Sequence, residues 1–375
     1  MMTKKARLIK KTIEAYHRAL ESEEDLIERS RLYLKIANGY YELAFVDHTE
    51  ITSNLEKSIQ AYGEALKAYT LEEFPYEYAL IKNNIGNAYM NLAEVKNKSE
   101  NSNKAIQSCQ EALKVYTLEE FPIDYAMTQI NLGNAYKTLA EVEDKAENCK
   151  KAIRSYQESL KFYTLEEFPM EYALTKNNLG NAFWTMAEVE DKAENCKKAI
   201  RSYQESLKFY TLEELPIIYG LIQNNLGGTY GTLAEVEDKA ENSKKAIKSC
   251  QEALKVYTLD GFPMDYAMTQ KNLGTAYRIL AEVEERAKNC GKAMEACKKA
   301  LRVHTLEGFP MDYAEVQTTL GSVYKTLAEA ENRSENCRKS EKAFREAVQV
   351  WKKLDSPQNR KIVEEKLSEL KSICN

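Results

Sequence analysis

This chain has few of the residues that interrupt helices or build catalytic sites. Its 375 residues include seven prolines, fourteen glycines, two tryptophans and three histidines, and its formal net charge is only −5. No apolar run approaches the roughly 18 residues that span a membrane, so we expect no membrane contact. The slightly negative net charge indicates no basic surface that could bind phosphate groups, so we also expect no nucleic-acid partner.

The positions of the prolines indicate a repeat. They stand at 75, 122, 169, 216, 263, 310 and 357, so every interval is 47 residues. A fixed period of this size predicts an array in which each repeat packs on its neighbours, without one central core. We expect an N-terminal half-repeat helix in residues 1–25, seven tandem helix A/helix B repeats in 26–356 and a capping helix in 357–375.

Each repeat contains two amphipathic segments, which we call helix A and helix B. In the repeat that begins at Pro122, apolar residues recur at three- and four-residue steps first around Leu132 and then around Tyr156, which is typical of helices. Pro122 suits the first helical turn of helix A, where its absent N–H has no intrahelical partner. The pattern predicts that asparagine caps helix B. These asparagines are residues 54, 101, 148, 195, 242, 289 and 336.

Most of the eight cysteines also follow the period. Cys149, Cys196, Cys290 and Cys337 share one register, and Cys109, Cys250 and Cys297 share another that holds Tyr or Phe in other repeats. Equivalent positions in adjacent repeats should lie about 8–10 Å apart, too far for a disulfide. We therefore predict buried free thiols in a reducing, cytoplasmic environment, and the basic N-terminus shows no apolar signal segment. Cys374 fits neither register.

The pattern Leu132-Gly133-x-x-Tyr136 in helix A, followed by Ala152-x-x-x-Tyr156 in helix B, resembles the tetratricopeptide repeat (TPR). The unit is longer than the usual TPR of about 34 residues, and it looks most like the extended TPRs of microbial regulatory proteins and, more distantly, of kinesin light chain. The resemblance implies an all-α, right-handed superhelical solenoid of antiparallel helix pairs, with about sixteen helices.

The resemblance also implies that a peptide or partner helix binds a concave groove lined by helix A. At about 100° per residue, one stripe of asparagines falls opposite the core residues of helix A. Amides offer donors and acceptors, so they can bond a peptide backbone of any sequence. A merely solvated polar face is the alternative, which we disfavour because asparagine is a poor helix former. The predicted peptide-binding residues are Asn83, Asn87, Asn134, Asn177, Asn181 and Asn224, with Trp184 as an anchor or as packing between A helices.

Toward the C-terminus the same stripe becomes basic. Lys271, Arg278 and Lys325 appear there, which favours a ligand with acidic residues or a C-terminal carboxylate at this end. A second file of asparagines lies beside the stripe, and we expect it to tie adjacent A helices together. This second file comprises Asn84, Asn131, Asn178, Asn225 and Asn272.

The sequence contains no recognisable catalytic constellation. The histidines, His17, His48 and His304, lie in different repeats and lack His-x-x-x-His spacing, and no phosphate-binding glycine motif occurs. We expect no catalytic residue, no cofactor and no metal site. We predict a monomeric, non-enzymatic scaffold for a protein or peptide ligand. The alternative is a regulatory sensor of a small signalling peptide. A third possibility is self-assembly by end-to-end stacking, which the charged C-terminal capping helix disfavours.

Overall fold

The computed structural model describes residues 3–374, which form sixteen α-helices and no β-strand. Seven A-then-B pairs are flanked by α1, a half repeat of B type, and α16, a half repeat of A type. The B helices are α1 (Lys4–Ser22), α3 (Ile51–Ala65), α5 (Lys98–Ala112), α7 (Lys145–Ser159), α9 (Lys192–Ser206), α11 (Lys239–Ala253), α13 (Arg286–Ala300) and α15 (Arg333–Lys353). The A helices are α2 (Leu26–Val46), α4 (Pro75–Val95), α6 (Pro122–Leu139), α8 (Pro169–Met186), α10 (Pro216–Ala234), α12 (Pro263–Ala281), α14 (Pro310–Ala328) and α16 (Pro357–Cys374).

The helices fall into two compact units. Residues 3–190 carry α1 to α8, and residues 191–374 carry α9 to α16. Within each unit, a helix packs against the next one along the chain, and an A helix also packs against an adjacent A helix. This is the packing expected of a helical repeat, in which no single core extends through the chain.

The prolines begin the A helices as the sequence predicts. Each of the seven prolines is the first residue of its helix. Phe121, which precedes Pro122, lies outside the helical region with φ −135° and ψ 63°, because a residue before proline is sterically excluded from that region. The period of the sequence is therefore the period of the helix starts.

A glycine in helix A sets how closely helix B approaches. A Cβ atom added to Gly133 would lie 2.6 Å from the ring of Tyr156, which is fully buried. Tyr156 and Ala152 of α7 then share a core with Leu179 and Ala182 of α8. Helix α7 is thereby held between the A helix of its own repeat and the A helix of the next.

The predicted asparagine cap of helix B is wrong. Helix α7 begins at Lys145 after Asp144, a residue in the left-handed region with φ 38°, and no side chain caps it. Asn148 lies inside the first turn, is buried, and donates its Nδ2 to the carbonyl oxygen of Glu143 at 2.8 Å. The amide thus satisfies a carbonyl of the turn rather than a backbone N–H of the helix. The same bond is made by Asn101, Asn242, Asn289 and Asn336.

One cysteine prediction also needs correction. Cys337 is not a free thiol, because it forms a disulfide with Cys374, their Cα atoms being 6.0 Å apart. The expected separation of 8–10 Å applies to equivalent positions of adjacent repeats, whereas Cys374 lies outside that register, at the end of α16, which packs along α15. The other six cysteines are buried and free as predicted: Cys109, Cys149, Cys196, Cys250, Cys290 and Cys297.

Candidate functional site

The A helices α4, α6, α8, α10 and α12 each expose a pair of apolar residues in their first two turns, and α14 exposes one. In α6, Ile123 and Met127 are 50% and 47% exposed, although the helix lies in the middle of its unit. We call the whole set the apolar stripe. Its members are Tyr76, Leu80, Ile123, Met127, Met170 and Leu174 in the first unit, and Ile217, Leu221, Met264, Met268 and Met311 in the second.

Three of the predicted asparagines continue this stripe along their own helices. Asn134 stands seven residues after Met127 and eleven after Ile123, so the three Cα positions lie within about 40° of one another around the helix. Asn87 and Asn181 have the same spacing from the apolar pairs of α4 and α8. All three asparagines are half-buried. The exposed face of these A helices is therefore apolar in its first half and bears an amide in its second.

The other three predicted asparagines do not lie on an exposed face. Asn83, Asn177 and Asn224 are 5–7% exposed. The Nδ2 atom of Asn131 donates to Oδ1 of Asn83 at 3.1 Å, and that of Asn272 donates to Oδ1 of Asn224 at 3.0 Å. These bonds link adjacent A helices, as does a bond from Asn178 to Asn134, so the tying role expected of the second file is confirmed for Asn131, Asn178 and Asn272. The burial of Asn83, Asn177 and Asn224 corrects their outward placement, because the neighbouring A helix covers that side.

Asn134 is engaged inside the protein as well. Its Oδ1 accepts the hydroxyl of Tyr156 at 2.7 Å and the Nδ2 of Asn178 at 3.3 Å. Asn38 accepts the hydroxyl of Tyr62 in the same way. Where helix B has no tyrosine but Cys250, Cys297 or Phe344, helix A has no asparagine but Gly228, Thr275 or Ser322. The loss of asparagine toward the C-terminus therefore follows the loss of a tyrosine hydroxyl.

Asn87 is the exception to this pairing. The residue of helix B at the tyrosine position is Cys109, which has no hydroxyl group to donate to Asn87. The thiol of Cys109 packs against Gly86, 2.7 Å from the position that a Cβ atom on this glycine would take. Within residues 3–374 the Asn87 side-chain amide makes no hydrogen bond to another group. Asn87 is thus a predicted site residue whose amide has bonding capacity left for a ligand.

The basic residues of the predicted site are paired within the second unit. Lys271 contacts Asp312 and Glu315, with Nζ–O distances of 3.0 and 2.5 Å. Burial lowers the pKa of Lys271, but the two carboxylates outweigh it and the pKa is raised overall. Arg278 pairs with Glu282 at 2.7 Å, and Lys325 pairs with Glu369 of α16 at 2.6 Å. An acidic ligand would have to displace these carboxylates.

The remaining residues singled out by the sequence have ordinary environments. Trp184 is half-buried on α8. His304 is fully buried 6.0 Å from the ring of Phe309, and this burial lowers its pKa. No group of three His, Cys, Asp or Glu side chains within residues 3–374 is arranged to hold a metal ion. Over the same residues, no helix is both long enough and apolar enough to cross a membrane.

The sequence matches no family model and no curated protein, but solved structures share its fold. One is a signal transduction ATPase with numerous domains from Pyrococcus horikoshii that carries a tetratricopeptide repeat sensor. The identity is 17% and the TM-score 0.52, and the match covers 96% of this chain and 54% of that one.

Two further structures match at lower TM-scores. The C-terminal part of a TPR repeat-containing protein from Cytophaga hutchinsonii is 13% identical at a TM-score of 0.47, with coverage of 86% of this chain and 98% of that one. The apo quorum sensor NprR from B. thuringiensis is 14% identical at 0.47, with coverage of 97% and 99%. The match to the Pyrococcus horikoshii protein shows that this chain has a tetratricopeptide-repeat fold, as its sequence pattern predicts. The likeness to kinesin light chain stays a prediction.

Proposed function

We propose that this chain is a non-enzymatic scaffold that binds an extended peptide or a partner helix on the exposed face of its A helices. The observation that carries the proposal is the apolar stripe, which recurs in five helices as a pair and in α14 as Met311 alone. Apolar side chains that stay exposed at the same place in successive repeats are costly for solubility. An exposed valine also recurs at or just after the end of each A helix from α4 to α12, so recurrence alone does not single out the stripe. The stripe differs because it places two such residues on each of these five helices, which is typical of a surface that binds another chain.

The chemistry of the stripe suits a ligand that alternates apolar and polar groups. Unbranched methionines, which supply five of the eleven stripe residues, adapt their shape to different apolar partners. The Asn87 amide can then bond a ligand backbone, which offers N–H and C=O groups whatever its sequence. We assign the anchoring role to the apolar stripe and the orienting role to Asn87, with Asn134, Asn181 and Trp184 at its edge.

The basic residues have a secondary place in this proposal. Lys271, Arg278 and Lys325 are each paired with a carboxylate of the chain itself. A ligand carboxylate gains from them only by replacing one of these partners, so it contributes only the difference between two similar ion pairs. We therefore expect acidic groups to add selectivity in the second unit rather than most of the affinity.

A display experiment tests the stripe directly. A random peptide library is selected on the intact protein, and the affinity of an enriched peptide is measured by calorimetry. Met127→Glu places a charge in the stripe, and we expect it to weaken the binding of a peptide that contacts α6 by about tenfold or more. Leu221→Glu makes the same test in the second unit.

The matched control is Val142→Glu. Val142 is 52% exposed, like Met127, but it lies in the turn between α6 and α7, outside the stripe. We expect this variant to bind as the parent protein does. Equal affinity of parent, Met127→Glu and Leu221→Glu for every enriched peptide would contradict the proposal.

A further inference from the structure

A groove of about 430 Å³ lies between α1 and α2, at the first helices of the first unit. Leu8, Ile9, Thr12 and Tyr16 form its α1 wall, and Lys35 and Asn38 contribute to the α2 wall. Leu8 is 66% exposed. The groove is thus open to solvent along one side of a B-type helix, and its lining is apolar apart from Thr12, Lys35, Asn38 and the ion pair of Lys5 with Glu42 at 2.9 Å.

The same side of helix B is covered in a complete repeat. Ile9, Thr12 and Tyr16 have the spacing of Cys149, Ala152 and Tyr156 in α7, all of which are fully buried under α6. In α1, Thr12 is exposed, and Ile9 and Tyr16 are only half-buried. The groove therefore lies where, in a complete repeat, helix A of the same repeat covers helix B. A further A helix would fit between α1 and α2 at this place.

The α2 wall is the surface on which a preceding A helix would pack in a complete repeat. Between complete repeats, successive A helices contact each other, as the bond from Asn131 of α6 to Asn83 of α4 shows. Lys35 occupies the position of Asn131 in the repeat pattern, and its Nζ lies 5.5 Å from the centre of the Tyr16 ring. A helix that enters the groove would contact Lys35 and Tyr16 together.

We infer that this groove docks an amphipathic helix of a partner protein, built like the A helices of this chain. The contact of Gly133 with Tyr156 indicates that such a helix needs glycine opposite Tyr16. Residues 4–11 contain five basic residues, Lys4, Lys5, Arg7, Lys10 and Lys11, and no acidic one. Lys5 and Lys10 already pair with Glu42, Asp47 and Glu50 of this chain. Lys4, Arg7 and Lys11 make no ion pair within residues 3–374, so acidic residues of the docking helix are favoured where it faces these three.

A second copy of this chain fits the groove poorly. Its α16 is the A-type helix that no B helix follows within residues 3–374. Ser368 stands there in place of the glycine, so its Cβ would meet the ring of Tyr16 as a Cβ on Gly133 would meet Tyr156. Glu364 and Lys371 on the same side would also have to be buried, and unpaired buried charges are costly. These features favour a different protein as the occupant.

The probe for this site is a labelled synthetic peptide with the sequence of residues 122–140, which carries the α6 helix. We expect saturable binding to the full-length protein by fluorescence anisotropy. Thr12→Arg fills the groove from an exposed position, and we expect it to weaken binding by about tenfold or more. Glu14→Arg, which puts arginine on the other side of α1, should bind within about twofold of the parent.

A control peptide and a control variant separate the alternatives. Replacing Gly133 by leucine in the peptide should weaken its binding as strongly as Thr12→Arg does. Met127→Glu in the full-length protein, in the apolar stripe, should leave its binding of the unchanged peptide unaltered. Binding at the groove and binding at the apolar stripe are therefore tested independently. Equal binding to the parent and to Thr12→Arg would overturn the inference. A concentration-dependent dimer that Thr12→Arg abolishes would also overturn it, in favour of a second copy.

Discussion

The asparagines of the A helices differ in what their side chains contact. Asn83 and Asn224 accept bonds from the next A helix, Asn134 accepts the Tyr156 hydroxyl, and Asn87 makes no side-chain bond within residues 3–374. A helical wheel correctly separates these residues from the glycine face of helix A. It cannot show which of them a neighbouring helix covers, because that depends on the packing of successive repeats.

Substitution of two asparagines distinguishes these roles. Asn134→Ala leaves the buried Tyr156 hydroxyl without its acceptor, and we expect a loss of about 1–3 kcal/mol in the free energy of unfolding. Asn87→Ala removes no internal bond and should change it by less than about 0.5 kcal/mol. Urea unfolding followed by circular dichroism measures both, and equal losses would contradict the assignment of Asn134 to packing.

The helices could be predicted from the sequence to different degrees. Proline has one favoured place in a helix, so all seven A-helix starts at a proline could be located. Asparagine is both donor and acceptor, and the pattern alone does not tell whether Asn148 caps α7 or bonds the turn before it.

The apolar stripe could not be recognised from the pattern of one helix, because methionine and leucine in an amphipathic helix are first assigned to the core. Their recurrence at residues 123 and 127, on the side of Asn134 rather than of Gly133, was the available signal.

The last helix is held by packing and by a covalent bond. Val363 and Leu370 of α16 are buried against a cluster that contains Trp351 of α15. The Cys337–Cys374 disulfide then fixes the end of α16. Cys374 could not be paired from the sequence, since it has no equivalent in the other repeats.

Cutting this disulfide should loosen α16 specifically. The disulfide joins residues that are 37 positions apart, and Cys374→Ser removes this restriction from the unfolded segment. We expect the segment to lose about 2–4 kcal/mol of stability. Hydrogen exchange of residues 357–374 should accelerate, while that of α13 stays unchanged. A dithiol reductant should have the same effect on the parent protein and none on Cys374→Ser. Unchanged exchange in both would contradict a stabilising role of the disulfide.

At the scale of the molecule, thiol groups are buried in every A/B helix pair from α4 to α13, and buried phenol groups accompany them in the pairs from α4 to α11. Burial raises the pKa of Cys109, Cys250 and Cys297 to about 12, and that of Cys149, Cys196 and Cys290 to about 11. It also raises the pKa of Tyr163 and Tyr257 to about 12. The folded protein therefore keeps protons that the unfolded chain loses.

These shifts predict unfolding in alkali. Unfolded thiols ionise near pH 9.0 and phenols near pH 10.0, so the stabilisation is complete below pH 9 and falls as pH rises toward the folded pKa values. Each protected group contributes a loss of about 1.4 kcal/mol per pH unit in this window. Thermal unfolding between pH 8 and pH 11 should show a steep decrease in Tm. Cys109→Ala, which removes one such group, should make the decrease shallower, and a Tm that stays constant up to pH 11 would contradict this account.

If the apolar stripe of the A helices binds the ligand, the methyl groups of its methionines should report the contact. The protein is labelled with ¹³C at the methionine methyl groups, and NMR spectra are recorded with and without a peptide enriched by display. We predict shifts at stripe methionines such as Met127, Met170, Met264 and Met268 and none at Met186, which is 5% exposed. Saturation of the protein by the peptide without a shift at any stripe methionine would contradict ligand binding at the stripe.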